Sequence, residues 1–315
     1  MHTPLVIQTE HLDEAAAAWL RAQGCRVEVC PSEDSRFDSL LREADGLLIR
    51  TYTRVDESLL ARAARLRVVA RAGVGLDNVD IAACTRRGVR VVSTPGANTR
   101  AVIELVFSLL LDVLRPRAFL TEALDAKRWK ELRKELQATR QLSDLTLGVL
   151  GLGRVGSGMA RVGAAFDMRV IYHDVREISH GDRFGAEPVP CEELFARSDV
   201  LSLHVDGREN NRGLIGAAEL ARCKPDVVLV NTSRGFVVDP GALRGFLLAH
   251  PGATALLDVH EPEPIGPDHP LLGVANAHLT AHIGAATATA NRNMSWVVRD
   301  LWRVLQGQEP ENPSN

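Results

Sequence analysis

Short apolar runs alternate with amphipathic segments along the first third of the chain. Helical spacing appears between the runs, for example at residues 12–22 and 57–64. Brief apolar runs separated by helices are typical of buried strands in a parallel sheet. The pattern predicts a small doubly wound α/β domain. Its predicted strands are residues 5–7, 27–29, 46–49, 68–70 and 89–92.

The alternation starts again after Pro95, with a long helix predicted over residues 98–114. A last helix, predicted over residues 285–306, is too short for a further domain and most simply packs on the first one. We therefore expect two doubly wound parallel-sheet (Rossmann-like) domains, with residues 96–283 inserted into a split domain of residues 1–95 and 284–315. The strands predicted in the inserted domain are residues 146–150, 169–173, 227–230, 253–257 and 277–279.

Two segments are less regular. Residues 117–145 are strongly charged with helical spacing, which predicts either a solvated helical surface or an arm that wraps a second subunit of a homodimer. The C-terminal residues 309–315 are polar and proline-containing, and they are expected to fray.

Composition narrows the function classes. A formal net charge of −3 and 45% hydrophobic residues give no general attraction to nucleic acid or membranes. The five cysteines lack C-x-x-C spacing, which indicates free thiols in a reducing compartment, not a disulfide framework or a metal site. The N-terminus lacks the basic flank and apolar core of a signal peptide, and no apolar run has the length of a membrane span. We expect a cytoplasmic protein.

A glycine-rich turn follows the strand at residues 146–150. Gly151, Gly153 and Gly156 have the spacing G-x-G-x-x-G, a helix follows, and the next strand ends at Asp174. This context matches the dinucleotide fingerprint, whose glycines permit a tight turn, close approach of a pyrophosphate and close helix–strand packing. The helix N-terminus offers N–H groups to the anion, and the acid accepts hydrogen bonds from the adenine ribose. The sequence thus predicts a nucleotide-binding domain with NAD as its cofactor.

Three later strands are each followed by a residue suited to acid–base work on a small anion. These residues are Arg234, Glu263 and His282. Parallel strands end at one edge of a sheet, where ligands of open α/β folds bind, so the three side chains can converge. A carboxylate beside a histidine raises the pKa of the imidazole, and the arginine fork suits a planar carboxylate.

The motifs together resemble the D-2-hydroxyacid dehydrogenases, most closely the D-3-phosphoglycerate dehydrogenase branch. The resemblance covers nearly all 315 residues and includes R-A-G-V-G-L-D-N-V-D at 71–80, T-P-G-A-N-T at 94–99 and the glycine, Arg, Glu and His motifs in the family's order. The chain stops where longer phosphoglycerate dehydrogenases continue into regulatory domains, so serine feedback through such a domain is not expected.

The resemblance implies a role for each site residue. His282 is the acid–base, Glu263 holds its other ring nitrogen, and Arg234 binds the substrate carboxylate and the reacting oxygen. Val74 and Gly75 offer backbone N–H groups to that carboxylate, and Asp258 holds the nicotinamide amide. Arg50 and Arg71 correspond to positions that approach a substrate phosphate. The residues expected to bind NAD are Gly151, Gly153, Arg154, Val155, Gly156, Asp174, Thr232 and Asp258.

Four positions depart from the family pattern. Asp206 and Ala281 each replace a proline, and His260 replaces an aromatic residue. The family's Gly-x-Glu-Leu stretch is reduced to Arg-Gln-Leu at 140–142. A carboxylate at 206 is expected to weaken binding of an anionic dinucleotide, and alanine at 281 to loosen the backbone that aims the catalytic ring.

The sequence therefore predicts an NAD-dependent oxidoreductase that transfers hydride between the cofactor and a small anionic D-2-hydroxyacid or 2-oxoacid, with 3-phosphoglycerate as a candidate. One alternative is a reductase of glyoxylate, hydroxypyruvate or another 2-oxoacid. A second is a dinucleotide-sensing binding protein, like the transcriptional corepressors of this fold. A homodimer is expected, without nucleic-acid or membrane partners.

Overall fold

The computed structural model describes residues 2–315, which form two compact units. The split unit contains residues 2–98 and 285–315, and the central unit contains Thr99–Gly284. Each unit is built on its own parallel β-sheet. Among residues 2–315, no helix is long and apolar enough to cross a membrane.

The split unit has a five-stranded sheet in the order β2-β1-β3-β4-β5. Its apolar strands bury both faces, since α1 and α12 cover one side and α2, α3 and α4 cover the other. The strands are β1 Leu5–Gln8, β2 Arg26–Val29, β3 Gly46–Ile49, β4 Val68–Arg71 and β5 Arg90–Val92. The helices are α1 Glu14–Ala22, α2 Phe37–Leu41, α3 Glu57–Arg62, α4 Ile81–Arg86, α11 Ala288–Ser295 and α12 Val298–Leu305.

The central unit has a seven-stranded sheet in the order β12-β11-β10-β9-β6-β7-β8. Helices α5 and α7 pack on one face and α8, α9 and α10 on the other. The strands are β6 Thr146–Leu150, β7 Arg169–His173, β8 Glu187–Pro188, β9 Val200–Leu203, β10 Val228–Asn231, β11 Thr254–Leu257 and β12 Ala277–Leu279. The helices are α5 Thr99–Leu114, α6 Ala126–Glu135, α7 Arg154–Ala165, α8 Cys191–Arg197, α9 Ala217–Leu220 and α10 Pro240–Ala249.

The single C-terminal helix predicted over residues 285–306 is wrong, because two helices occupy this stretch. The chain tightens after α11, where the N–H groups of Trp296 and Val297 bond the carbonyls three residues earlier. The hydroxyl of Ser295 donates to the Asn291 carbonyl and accepts the N–H of Asp13, which ties the end of α11 to the residue before α1.

The C-terminal tail is ordered, so the prediction that it frays is also wrong. The buried carboxylate of Asp300 accepts the N–H groups of Glu311 and Asn312 at 2.7 and 3.0 Å. Beyond them, Ser314 N–H donates to the Val91 carbonyl, and the Asn315 side chain accepts the Val91 N–H. These bonds anchor the tail beside β5.

The charged segment at 117–145 is helical only in part. Its helix is α6, which begins after Asp125, whose side chain accepts the Arg128 N–H at 2.8 Å. A short 3-10 turn follows at Leu142–Asp144. None of the residues of α6 is buried.

Candidate active site

The polar residues of the central unit leave the sheet at a common edge. The last residues of six strands pair in register, so the loops that follow them start side by side. In sheet order these residues are Leu279, Leu257, Asn231, Leu203, Leu150 and His173. Strand order reverses between β6 and β9, which is where ligands bind in open α/β sheets.

The glycine turn lies at this reversal and needs its glycines. Gly151 has φ of 90°, and a Cβ there would lie 2.6 Å from the carbonyl oxygen of His204. A Cβ at Gly156 would lie 2.1 Å from the Gly151 carbonyl oxygen, whereas the space beside Gly153 is open. The first and third glycines thus allow close packing, and the second leaves the backbone accessible to a ligand.

Asp174 braces the same turn from the end of β7. Its Oδ2 accepts the Leu152 N–H at 2.8 Å, and its Oδ1 accepts the N–H and Nε–H of Arg176 at 2.9 and 3.2 Å. Burial alone would raise the pKa of Asp174, but the hydrogen bonds from Arg176 and Leu152 hold it below its usual range. The carboxylate is therefore ionised at neutral pH and fixes the glycine turn.

The loop after β10 is folded by a buried amide. Asn231 Oδ1 accepts both the N–H and the hydroxyl of Ser233, at 3.0 and 2.7 Å, and its Nδ2 donates to the Arg234 carbonyl at 2.8 Å. Within this loop, Thr232 Oγ1 is buried without a hydrogen-bond partner in the described part of the chain. A buried hydroxyl of this kind is suited to bond a polar group of a bound ligand.

Gly235 allows this loop to approach the one that follows β11. A Cβ at Gly235 would lie 2.0 Å from the carbonyl carbon of His260, so any side chain there would separate the two segments. Arg234, immediately before it, donates from Nη1 to the Ser233 carbonyl at 2.7 Å. The close approach sets Arg234 near the residues that lead to Glu263.

Glu263 and His282 form a hydrogen-bonded pair. Glu263 Oε2 lies 2.7 Å from His282 Nδ1, and its Oε1 accepts the His260 N–H at 2.8 Å. The hydrogen bond to Glu263 raises the pKa of His282, burial opposes this, the Glu263 and Asp258 charges add to it, and the Arg234 charge lowers it. Burial would raise the pKa of Glu263, but hydrogen bonds from His282 and the His260 N–H lower it.

Asp258 fixes the backbone on both sides of His282. The carboxylate is 1% exposed, and it accepts the Thr280 hydroxyl at 2.6 Å and the N–H groups of Ile283 and Gly284 at 2.8 and 2.7 Å. His282 itself has φ of 53°, a left-handed conformation that is uncommon for a residue other than glycine. Three bonds to one buried carboxylate hold this conformation in place.

The departures from the family pattern also have structural partners. Asp206 accepts the Arg208 Nε–H at 2.7 Å, and this hydrogen bond lowers the pKa of Asp206, so its charge is paired locally. Ala281 lies between Thr280 and Ile283, both of which donate hydrogen bonds to Asp258. His260 Nε2 lies 2.7 Å from the Thr280 carbonyl oxygen.

In the split unit, Arg50 and Arg71 lie at neighbouring strand ends. Arg71 pairs with Ile49 across β3 and β4, and Arg50 is the next residue. Arg50 Nη2 donates to Asn291 Oδ1 at 2.7 Å. The Arg71 guanidinium lies against Gly73, where a Cβ would be 1.4 Å from Nη1.

The segment after Arg71 carries Val74 and Gly75. In residues 2–315, neither of their N–H groups donates to a backbone carbonyl. Glu10 organises the neighbouring loop, because its carboxylate accepts the N–H groups of all four residues from 50 to 53. Four backbone hydrogen bonds outweigh the effect of burial and lower the pKa of Glu10.

Sequence patterns assign no role to several residues that shape these loops. Asn231, Glu10 and Asn291 hold loops or side chains at the strand ends, and His260 contacts a second loop. An Asn at the end of an apolar strand favours an Asx turn, which was a usable signal for Asn231. No comparable signal exists for Glu10 or Asn291, whose partners lie about 40 and 241 residues away.

Comparison with known proteins identifies the family to which the chain is similar. Residues 107–284 match the family model described as D-isomer specific 2-hydroxyacid dehydrogenase, NAD binding domain. The chain is 40% identical over 293 residues to a glyoxylate reductase from Aeropyrum pernix, covering 89% of this chain and 86% of the relative.

Two further proteins are similar over nearly the whole chain. A D-3-phosphoglycerate dehydrogenase from Archaeoglobus fulgidus is 35% identical over 98% of this chain, which spans only 59% of that relative's length. The crystal structure of a D-lactate dehydrogenase from Aquifex aeolicus, complexed with NAD and lactic acid, has a TM-score of 0.79 and 26% identity, with 96% of each chain covered.

Proposed function

Because this chain belongs to the D-isomer-specific 2-hydroxyacid dehydrogenase family and is an NAD-dependent oxidoreductase of that family, we propose that its central unit carries the acid–base and cofactor-binding groups named above. When bound, NAD supplies the acceptor or donor of the hydride. The observation that carries the proposal is the 2.7 Å bond between His282 and Glu263, on the sheet edge that also bears the glycine turn.

The acid–base role falls to Nε2 of His282. Glu263 accepts from Nδ1, which keeps a proton on that nitrogen and leaves Nε2 free in the neutral ring. During oxidation Nε2 takes the proton of the substrate hydroxyl, and during reduction it returns that proton to the carbonyl oxygen. Arg234 supplies a positive fork for the substrate carboxylate and reacting oxygen.

NAD is held, in this proposal, by the glycine turn and the loops beside it. Gly151, Gly153, Arg154, Val155 and Gly156 form the pyrophosphate-binding segment, and Asp174 faces the adenine ribose. The partnerless Thr232 hydroxyl supports a contact with the bound cofactor. Asp258 already accepts three internal hydrogen bonds, so we propose that its main effect on the nicotinamide end is to hold the His282 loop.

The substrate is, we propose, a small 2-oxoacid or D-2-hydroxyacid with a second negative charge. Arg50 and Arg71 at adjacent strand ends support this, together with the N–H groups of Val74 and Gly75. The relatives differ in substrate, since one is a glyoxylate reductase and another a D-3-phosphoglycerate dehydrogenase. Unphosphorylated glyoxylate and hydroxypyruvate are therefore the competing substrates.

One experiment separates these substrates. Turnover of phosphohydroxypyruvate, hydroxypyruvate and glyoxylate is followed by NADH absorbance in the native protein, in Arg71→Ala and in Arg54→Ala, a matched change at an exposed arginine. A lost charge-assisted hydrogen bond of ~1.5–3 kcal/mol raises KM for the phosphorylated substrate by at least about tenfold in Arg71→Ala alone. Equal losses on all three acids would favour the unphosphorylated substrates, and no turnover with any acid would favour a dinucleotide-sensing binding protein.

A homodimer is proposed from the exposed apolar residues near α6. Phe119, Leu120 and Trp129 are 84%, 51% and 49% exposed, and contact with a second subunit would bury them. Sedimentation of Phe119→Ser/Trp129→Ser should show a smaller particle than the native protein. Leu248→Ser, a similar change on the outer side of α10, should not, and an unchanged size in both would remove this surface from the dimer contact.

A cytoplasmic location is proposed as well. All five cysteines are free, and burial raises the pKa of Cys25, Cys84 and Cys223 to about 11, which keeps these thiols protonated. Buried thiols of this kind persist without difficulty in a reducing compartment.

A further inference from the structure

His260 contacts both loops that carry the acid–base pair. Its backbone N–H donates to Glu263 Oε1 at 2.8 Å. Its ring Nε2 lies 2.7 Å from the carbonyl oxygen of Thr280, two residues before His282. A single residue therefore links the segment of Glu263 to the segment of His282.

The ring contact fixes the position of one proton. A carbonyl oxygen only accepts hydrogen bonds, so Nε2 of His260 carries hydrogen and donates it. Thr280 is also held by its side chain, whose hydroxyl donates to Asp258. Thr280, the residue after β12, is thus held at its carbonyl by His260 and at its hydroxyl by Asp258.

His260 also lines a cavity of about 330 Å³. The ring of His269 stands edge-on to the His260 ring, with 5.8 Å between the ring centroids. Phe236 and Leu271 also line the cavity. Of the charged side chains that line the cavity, Arg212 and Glu261 are paired with each other at 3.1 Å or less, and Asp239 accepts two N–H groups at the start of α10. Because the cavity leaves open space beside His260, the ring is fixed by its hydrogen bond to Thr280 together with the edge-on contact of His269.

We propose that His260 is a positioning residue that sets the alignment of the Glu263–His282 pair through its hydrogen bond to the Thr280 carbonyl. The proposal rests on the function proposed above for that pair. It assigns a role to a residue that replaces the aromatic residue typical of this position, where a phenylalanine ring could fill the space but could not donate the bond.

Loss of this alignment should change the His282 pKa in one direction only. Glu263 and Asp258 act on the His282 imidazole by raising its pKa, and Arg234 by lowering it. If Thr280 moves, the hydrogen bond between Glu263 and His282 weakens, and the His282 pKa falls toward its ordinary value. The pH at which the ring changes protonation then falls, in both the oxidation and the reduction direction.

Three variants test this. His260→Phe keeps a ring but removes the donor, whereas His260→Gln keeps an N–H at nearly the position of Nε2. His278→Phe is the control, because His278 is an exposed histidine on β12 itself. For each, NMR titration follows the His282 ring in the protein without substrate, and turnover is measured against pH.

In His260→Phe, kcat should fall by about two- to tenfold, the effect of one hydrogen bond, and the midpoint of the pH profile should move to lower pH. His260→Gln should restore both quantities, and His278→Phe should resemble the native protein. An unchanged His282 titration in His260→Phe, or no rescue by His260→Gln, would overturn the proposal.

The NMR titration also separates this proposal from the proposed function. A shifted His282 ring in a protein that turns over no 2-hydroxyacid would refute the function but support the positioning role. Should His260→Phe fail to fold, the native His260 ring decides the question, because a hydrogen on Nδ1 with none on Nε2 would refute the bond to Thr280.

Discussion

Replacing Glu263 by glutamine tests the acid–base pair most directly. In the native protein the two carboxylate oxygens accept two different donors, the His260 N–H and the Nδ1–H of His282. An amide has one accepting oxygen and one donating NH₂ group. Glutamine can satisfy one donor only, and the NH₂ group must face the other.

Two outcomes follow for the imidazole. If the NH₂ group faces His282, Nδ1 must be unprotonated, the proton moves to Nε2, and the neutral ring can no longer act as a base there. If the oxygen faces His282, the backbone N–H of His260 loses its partner and the negative charge is still missing. In either case the negative charge of Glu263, which helps to raise the His282 pKa, is lost, so the pH midpoint falls.

The expected loss of kcat in Glu263→Gln depends first on the energy of the Glu263–His282 interaction, which solvent exposure limits. The side chains of His282 and Glu263 are 50% and 34% exposed, so solvent screens their attraction. A half-exposed pair is worth about 1 kcal/mol, between the ~0.2–1 kcal/mol of surface ion pairs and the ~1.5–3 kcal/mol of charge-assisted hydrogen bonds. Loss of the competent tautomer adds to this, and kcat should fall by about 10² or more, within the range for acid–base catalysis.

The assay is kcat and kcat/KM against pH for the native protein, Glu263→Gln and Glu263→Asp. The aspartate retains the charge at a shorter reach, so its pH midpoint should remain nearer the native one while its rate falls. A Glu263→Gln protein with the native pH profile and rate would remove Glu263 from the mechanism.

Three further measurements test the site. His282→Gln should lose about 10²–10⁴ in rate and still bind NADH, as measured by fluorescence, and a loss below tenfold would exclude His282 as the acid–base. The ionised Asp174 should favour NAD over NADP in kcat/KM, and equal or better use of NADP would contradict its role. Gly235→Ala should lower stability by ~1–3 kcal/mol and reduce turnover, because its Cβ meets the His260 backbone, whereas Gly245→Ala, with open space around it, should do neither.

Much of the fold was predictable because most strands of the two sheets are short apolar runs in the sequence. The strands expected at 146–150, 169–173 and 277–279 match β6, β7 and β12 residue for residue. Strand β8 has only two exposed residues, Glu187–Pro188, and carries no apolar signal. The break before α12 and the anchored tail depend on Ser295 and Asp300 bonding distant backbone groups, which no local pattern reveals.

For the site, the positions of the key residues were predictable, but their backbone conformation and hydrogen bonds were not. The sequence indicated which strand ends carry Arg234, Glu263 and His282, because parallel strands share an edge. It could not indicate the left-handed backbone of His282, or that Asp258 would hold it, because both depend on hydrogen bonds between residues 25 and 26 positions apart in the chain. Side-chain-to-backbone bonds between loops have no periodicity from which to read them.

Two of the departures from the family pattern, Ala281 and His260, bear on one structural feature, the restraint of the chain before His282. Alanine at 281 gives up the restraint that a proline would place on the chain before His282. The adjoining Thr280 is held at its carbonyl by His260 and at its hydroxyl by Asp258, and the same aspartate holds the two N–H groups beyond His282. Hydrogen bonds thus restrain the chain before His282, and one of them uses the ring N–H of His260 as its donor. Ala281 and His260 therefore act on the same stretch of backbone, the one that leads into His282.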